Sequence, residues 1–476
     1  MTTVTAPLTD TDRGYRYRWM VLTVVMIADV MDLLDATIAN LAGPSIRADL
    51  GGSESTLQWV LAAYTITFAV GLITSARAGD LLGRRRLFII GMAGFTLASL
   101  LSGLAPTAGL LIAARVAQGF FGAVMIPQGL AMVKASFHPD DLQKAFVPFG
   151  PIMGLSAVLG PIIAGFLIDA DLWGTGWRMV FLINIPIGVV STYLAWRYLP
   201  DTRAEGAATR MDPLGTVLLT VASGLLIYPL VQGREHDWAP WIFAMMAASA
   251  VVFAAFVVNE RRSAHPVIEP TLFGNRGFVA GTVFLATFMT AMTGFGLVLN
   301  LFTQLGLGFS PLKAGVVMVP WALGIAIGAV VSGAWAGPRF GRHLLHVGLT
   351  VLTAGVIGLW WTVGHFGMDV GGWDLVPALL TAGFGCGLIF APLFDLILAD
   401  VNDNEVGTGS GLLNALQQFG GAIGVAILGT VLFQLLPDHG WVSATQTVIW
   451  VSVGLFAASF LVAFALPMKA REGAGH

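Results

Sequence analysis

The stretch "MDLLDATIAN", residues 31–40, follows the nearly wholly apolar run "WMVLTVVMIADV", residues 19–30. Together they place three aspartates, Asp29, Asp32 and Asp35, in a segment that otherwise reads as a membrane-spanning helix. An acid near the middle of such a helix costs roughly 2.5–3.5 kcal/mol on insertion scales, so three of them imply a function. They fall within one arc of about 120°, because each three-residue step turns a helix by about 300°. That arc must face a cavity or another helix, since lipid would leave the carboxylates uncompensated. Burial and nearby like charge favour the protonated form of a carboxylate, so a group in this arc can carry a proton.

Composition puts the rest of the chain in the same setting. Of 476 residues, 56% are hydrophobic and 11% charged, against about 25% charged in soluble domains, and the mean hydropathy is +0.80. This is an integral, polytopic membrane protein. A net charge of −3 argues against a nucleic-acid partner, and one cysteine, Cys386 in an apolar run, excludes an internal disulfide framework. The first apolar stretch is too long for a signal peptide and lacks a small-residue cleavage site, so it is expected to remain as the first helix.

With about 20 apolar residues per crossing, the chain offers about fourteen helices, near 19–41, 57–77, 87–105, 108–132, 146–168, 179–199, 213–232, 239–259, 278–300, 313–335, 345–364, 375–399, 407–434 and 442–467. Turns such as "LGGSES", "FHPDD", "GREHD" and "LLPDHG" separate them. If the N-terminus is cytoplasmic, most Arg and Lys fall in cytoplasmic loops and only Arg47, Arg178, Arg234 and Lys313 lie outside. The positive-inside rule then places both termini inside a bacterial cell membrane.

An internal repeat divides the chain. "GDLLGRRRLF" from Gly79 follows the second helix and "GPRFGRHLLH" from Gly337 the tenth, the pattern of a parallel duplication. The expected fold is all-α, two six-helix bundles at 1–199 and 263–476, joined through 200–262 by the polar linker "PDTRAEGAATRMD" and two extra central helices. Arg115 is the one basic residue well inside a helix. It never deprotonates, so its approach to an aspartate and its withdrawal would switch proton binding. The alternative is a static buried ion pair holding the first and fourth helices together.

These residues carry a resemblance over nearly the whole length. "LDATIANLAGP" (34–44), "GDLLGRRR" (79–86), "RVAQGFFGA" (115–123), "GLSAVLGPIIAG" (154–165) and "WRMVFLINIPIG" (177–188) resemble the motifs of the major facilitator superfamily, specifically its fourteen-helix drug:proton antiporters. Leu81 stands where the family's loop has a basic residue, and Asp32 is an acid that the signature does not require. The resemblance implies Asp35 as proton carrier and Arg115 in the fourth-helix motif; by their place in the arc, Asp32 is the next candidate for proton coupling, and Asp29, on its flank, is either a further one or a hydrogen-bonded structural group. It implies a cytoplasmic gate at Asp80, Gly83, Arg84 and Arg85, with a solvated loop as the alternative. It also implies an antiporter motif at Gly154, Gly160, Pro161 and Gly165, for which a tightly packed bent helix is the alternative.

Gln58, Tyr64, Gln118, Asn300, Gln304, Trp321, Asn414 and Gln418 are candidates to line a cavity for amphipathic molecules, or else to pack helices. No metal-ligand spacing and no phosphate-binding Gly-Lys loop occurs, so neither a metal nor ATP drive is expected. The expected activity is proton-driven export of lipophilic, cationic or amphipathic drugs or antibiotics by a monomer without a cofactor. Export of a lipid or self-made metabolite and proton-linked uptake are the alternatives, and no enzyme activity is expected.

Overall fold

The computed structural model describes residues 15–138, 149–200, 212–263, 270–399, 401 and 406–469; these contain helices, turns and no strand. The helices are α1 (Arg18–Leu50), α2 (Glu54–Leu82), α3 (Arg84–Gly103), α4 (Ala108–Ser136), α5 (Phe149–Asp169), α6 (Gly176–Tyr198), α7 (Pro213–Gln232), α8 (Pro240–Arg262), α9 (Arg276–Gly306), α10 (Pro311–Val331), α11 (Arg342–Phe366) and α12 (Gly372–Ile397). A last helical run, Val406–Ala463, breaks at Gly440, whose φ is 70°, into α13 (406–439) and α14 (441–463). Eleven stretches among the described residues are long and apolar enough to cross a membrane. One of them, Gly409–Ala463, spans both α13 and α14, while α1 and α5 are not among the eleven, giving about fourteen crossings. The "LLPDHG" turn is shorter than its sequence suggests, since the helix continues through Pro437 and only Gly440 leaves helical geometry.

Local chemistry sets the helix starts. Thr107, Asp212, Asn275 and Ser310 cap α4, α7, α9 and α10 by accepting from backbone N–H groups, which supplies part of what helix ends lack. The two repeated loops share a positive-φ glycine before the next helix. Gly83 (φ 94°) and Gly341 (φ 49°) take positive-φ conformations that only glycine adopts freely, and α3 and α11 begin at the next residue. Arg85 then donates to the Trp196 carbonyl at the end of α6 (2.5 Å). In the other half Arg342 donates to the Phe464 and Leu466 carbonyls after α14. The charges of both turns therefore fasten the last helix of their own half.

Helices alternate in direction, so α1, α3 and α9 begin at one end, the near end, and finish at the far end. Near the start of α1 one apolar core, including Val21, Val25 and Met31, packs against Phe88, Met92 and Met132 of the N-terminal half, and Ala415 of α13 joins it from the other half. From Ala39 onward the core is shared, with Leu41, Ile46 and Leu57 joined to Leu297, Leu301 and Val425 of the C-terminal half. Polar contacts across the halves lie at that far end. Asn300 and Gln304 on α9 donate to the Asn40 and Leu41 carbonyls (2.8 and 2.9 Å). Gln58 on α2 donates to the carbonyls of Val425 and Ala426 (each 3.1 Å), and Asp169 on α5 accepts from Ser310 and the Leu312 N–H of α10.

The extra pair braces this closure. Ser249 of α8 donates to the Ala222 carbonyl of α7, and Thr430 of α13 donates to the Leu230 carbonyl. In the α7–α8 turn, Arg234 pairs with Glu54 at the start of α2 and donates to the Phe433 carbonyl of α13 (3.2 Å). One guanidinium thus spans both halves. At the same end, the Arg178 and Trp177 donors to Asp49 hold its carboxyl below the ordinary carboxylate range.

Arg234→Ala is expected to loosen the far-end closure by the roughly 0.5–1 kcal/mol of a half-exposed pair, a two- to five-fold shift in population. A cysteine replacing Val425, which is 1% exposed, reads this through its maleimide labelling rate. An unchanged rate would show that the brace contributes nothing.

Candidate functional site

Arg115 of α4 and Asp35 of α1 form an ion pair at 2.5 Å, with side chains 1% exposed each. Two charges taken out of water are tolerated only when further hydrogen bonds complete them, and here residues of α2, α3, α4 and α6 build that network. Arg115 Nη1 donates to Asp35 Oδ2 and to Gln118 Oε1 (2.8 Å), and Nε donates to the Val60 carbonyl of α2 (3.1 Å). Asp35 Oδ1 accepts from Gln118 Nε2 (2.7 Å) and from Asn184 Nδ2 of α6 (3.1 Å). Ser99 of α3 accepts from both amides. The guanidinium also lies 4.3 Å above the Tyr64 ring and 5.7 Å from that of Phe181, where the negative ring face attracts a cation.

Asp32 is placed differently. It is half-buried and accepts from the Tyr64 hydroxyl of α2, a neutral donor, beside Gly122 of α4 and Phe68. Tyr64 therefore touches both acids' environments, bonding Asp32 through its hydroxyl and facing Arg115 through its ring. Asp29 is also half-buried, one turn nearer the start of α1. Both carboxylate oxygens of Asp35 are bonded within the node, whereas half-buried Asp32 accepts from a phenol.

Of the residues expected to line a cavity, the structure brings Tyr64 and Gln118 to this acid cluster. Gln58, Asn300 and Gln304 are buried in the far-end closure. Asn414 is exposed and Gln418 half-buried on α13. Trp321 lines a space of about 200 Å³ together with Met289, Met292, Thr293, Phe295, Gly296, Met318 and Phe390. In the fifth-helix motif, Gly160 is buried and Pro161 half-buried. A Cβ on Gly165 would lie 2.4 Å from Leu312 Cα, and one on Gly315 2.3 Å from the Pro161 carbonyl. These positions therefore let α5 and α10 touch across the halves. The side chain of Asp80 and the surroundings of Gly154 lie outside the described residues. Gly83 closes α2, Arg84 opens α3, and Arg85 bonds within its own half.

Ser99 and Asn184 are members of the node that the sequence pattern alone did not single out. Their signal was polar residues within apolar stretches: Ser99 stands between Thr96 and Ser102 at three-residue spacing on α3, and Asn184 lies inside the quoted "LINIPIG".

A family model described as Major Facilitator Superfamily matches residues 25–425. The chain is 47% identical over 433 residues to a protein of Streptomyces coelicolor named probable actinorhodin transporter, covering 90% of this chain and 75% of that one. It is 35% identical over 430 residues to a puromycin resistance protein of Streptomyces alboniger, covering 89% and 84%. It is 34% identical over 425 residues to a cephamycin export protein of Amycolatopsis lactamdurans, covering 86% and 84%. Among solved structures, a POT family transporter in complex with a thioalcohol-conjugated peptide superposes with a TM-score of 0.68 at 14% identity, covering 92% of this chain and 94% of that one. At that identity the likeness establishes the fold alone.

Arg115→Lys is expected to destabilise the protein by about 1–3 kcal/mol, because an ammonium cannot serve Val60, Gln118 and Asp35 with the planar fork of a guanidinium. Thermal unfolding of the purified variant measures it. An unaltered Tm would reduce Arg115 to a point charge.

Proposed function

The chain belongs to the Major Facilitator Superfamily, and from that premise we propose that it is a proton-coupled antiporter exporting lipophilic, amphipathic antibiotics or drugs. It is a multi-pass membrane transporter and not an enzyme. The observation that carries the coupling is the sealed Arg115–Asp35 pair, with half-buried Asp32 beside it. The positive-inside count supports a cytoplasmic near end in a bacterial cell, and in that orientation the arrangement would be the state closed to the outside.

An ion pair requires a charged carboxylate, which suits a protein that has released its proton inward and awaits substrate. Substrate entering from the cytoplasm then meets Asp32. On opening to the outside, protonation of Asp35 would free Arg115 and weaken the node, and the substrate would leave. No cofactor is required, since the proton gradient supplies the work. Asp32 is assigned to substrate recognition, where a lipophilic cation and a proton neutralise the same carboxylate and so compete. The names of the antibiotic-specific relatives also support a narrower reading, export of one metabolite made by the producing cell.

Asp35→Asn is expected to abolish gradient-driven export in proteoliposomes while preserving substrate counterflow, because the amide still accepts from Arg115 but cannot titrate. Gradient-driven export by the variant would place the carrier elsewhere.

Asp32→Asn should weaken export of a monovalent lipophilic cation by about 1–3 kcal/mol of binding and spare a neutral substrate assayed in the same vesicles. Equal loss of both would assign Asp32 to the proton path, and equal retention would make it structural.

A further inference from the structure

A groove of about 420 Å³ lies at the near end between α9, through Arg276, Val279, Ala280 and Val283, and the end of α14, through Val462 and Ala465. These are the first and last helices of the C-terminal half, and both belong to apolar stretches long enough to cross a membrane. On α9 the groove face lies about 90° round the helix from Asn300 and Gln304, which reach α1. Val279, Val283 and Ala465 are exposed. The groove therefore opens sideways toward the bilayer and away from the acid cluster.

Its polarity is that of an amphiphile. Arg276 is the first residue of α9, and Val283 stands seven residues further in, so an apolar wall runs roughly 10 Å from the guanidinium toward the membrane interior. The Arg276 side chain is exposed and enters no ion pair among the described residues. A second cation stands nearby. A Cβ on Gly277 would meet the Pro467 ring at 3.0 Å, and exposed Lys469 follows two residues later.

The corresponding place in the N-terminal half, between the start of α1 and the end of α6, is closed by rings. Tyr17 and Tyr198 stand 5.3 Å apart, the Arg16 guanidinium lies 5.4 Å from the Tyr17 ring, and that of Arg18 lies 6.0 Å from the Phe137 ring. Cations there have ring faces as partners. In the C-terminal half, valines and alanines take the place of the rings and leave an open groove under a cation.

We propose that this groove holds one anionic phospholipid of the near-end leaflet, with its phosphate on Arg276 and an acyl chain along Val279, Val283 and Val462. Water finds no polar partners among these walls, so hydrocarbon fills them. A guanidinium offers a phosphate two parallel N–H donors, and basic pockets between spanning helices are suited to anionic headgroups. A zwitterionic headgroup brings its own ammonium, which Arg276 and Lys469 repel. The bound lipid would tie the start of the C-terminal half to its end, and this assignment does not depend on the export reading.

The test uses full-length protein carrying a nitroxide on Leu461→Cys, an exposed position next to Val462, in nanodiscs of zwitterionic lipid; Cys386 is fully buried and stays unlabelled. Phosphatidylglycerol and phosphatidylcholine, spin-labelled at the same acyl carbon, are titrated in separately, and dipolar broadening reads occupancy. Phosphatidylglycerol is expected to saturate the signal at a mole fraction about fivefold lower than phosphatidylcholine. Arg276→Gln should remove that preference. Ala465→Trp, or Ala465→Phe if the first variant fails to fold, should fill the groove and abolish saturable broadening. Equal saturation by the two lipids, an unchanged preference in Arg276→Gln, or saturable broadening in the filled variant would overturn the proposal. Displacement of the lipid by soluble glycerol phosphate would also overturn it, because the arginine would then bind phosphate without a chain.

Discussion

An ion pair withdrawn from water dictates where five helices must lie. Each buried charge costs several kcal/mol after relaxation, and Coulomb attraction repays this only with good geometry and complete hydrogen bonding. Arg115 and Asp35 meet that condition because Val60, Gln118, Asn184 and Ser99 arrive from α2, α4, α6 and α3 in fixed positions. A shift of any one helix leaves a donor or a carboxylate oxygen unpaired. The N-terminal half is therefore organised around a polar centre that is costly to disturb and, once disturbed, has reason to rearrange as a whole.

The two halves meet under a weaker rule. Their far-end contact uses backbone carbonyls and close glycine approaches, Gly165 and Gly315 against the facing helix and Gly429 against Gln58. Such contacts can separate without stranding a charge in lipid, as rocking about a midplane site requires. The α7–α8 pair fits that picture. It packs on α2 and α13 through Ile227 and Val231 against Ala62 and Ala426, and Arg234 ties their far ends together. Buried charge is thus sealed within one half at Arg115, while the half-exposed charge of Arg234 bridges the two halves.

Much of the architecture was legible because membrane insertion constrains sequence so strongly. Helix positions, the repeated Gly-Arg turn, the Asp arc and Arg115 each break an apolar pattern, and each break has a local physical meaning. The destinations of neutral polar residues were not legible. Gln58, Tyr64, Gln118, Asn300 and Gln304 share one signature, a hydrogen-bonding group on an apolar helix, yet two belong to the acid cluster and three to the closure between the halves. Periodicity gives the face of a helix but not the neighbour opposite. The methionine-lined space was hidden for a related reason: Met289, Met292 and Met318 read as ordinary membrane core until α9, α10 and α12 are set side by side.

The central claim is that substrate and proton exclude one another at the acid cluster of α1. Proton release into a weakly buffered solution of purified protein tests it most directly, with a pH indicator present as a transported lipophilic cation is added. The account predicts release that saturates with substrate, and that vanishes at high pH, where the cluster has already lost its proton. Substrate binding with no proton released at any pH would contradict it.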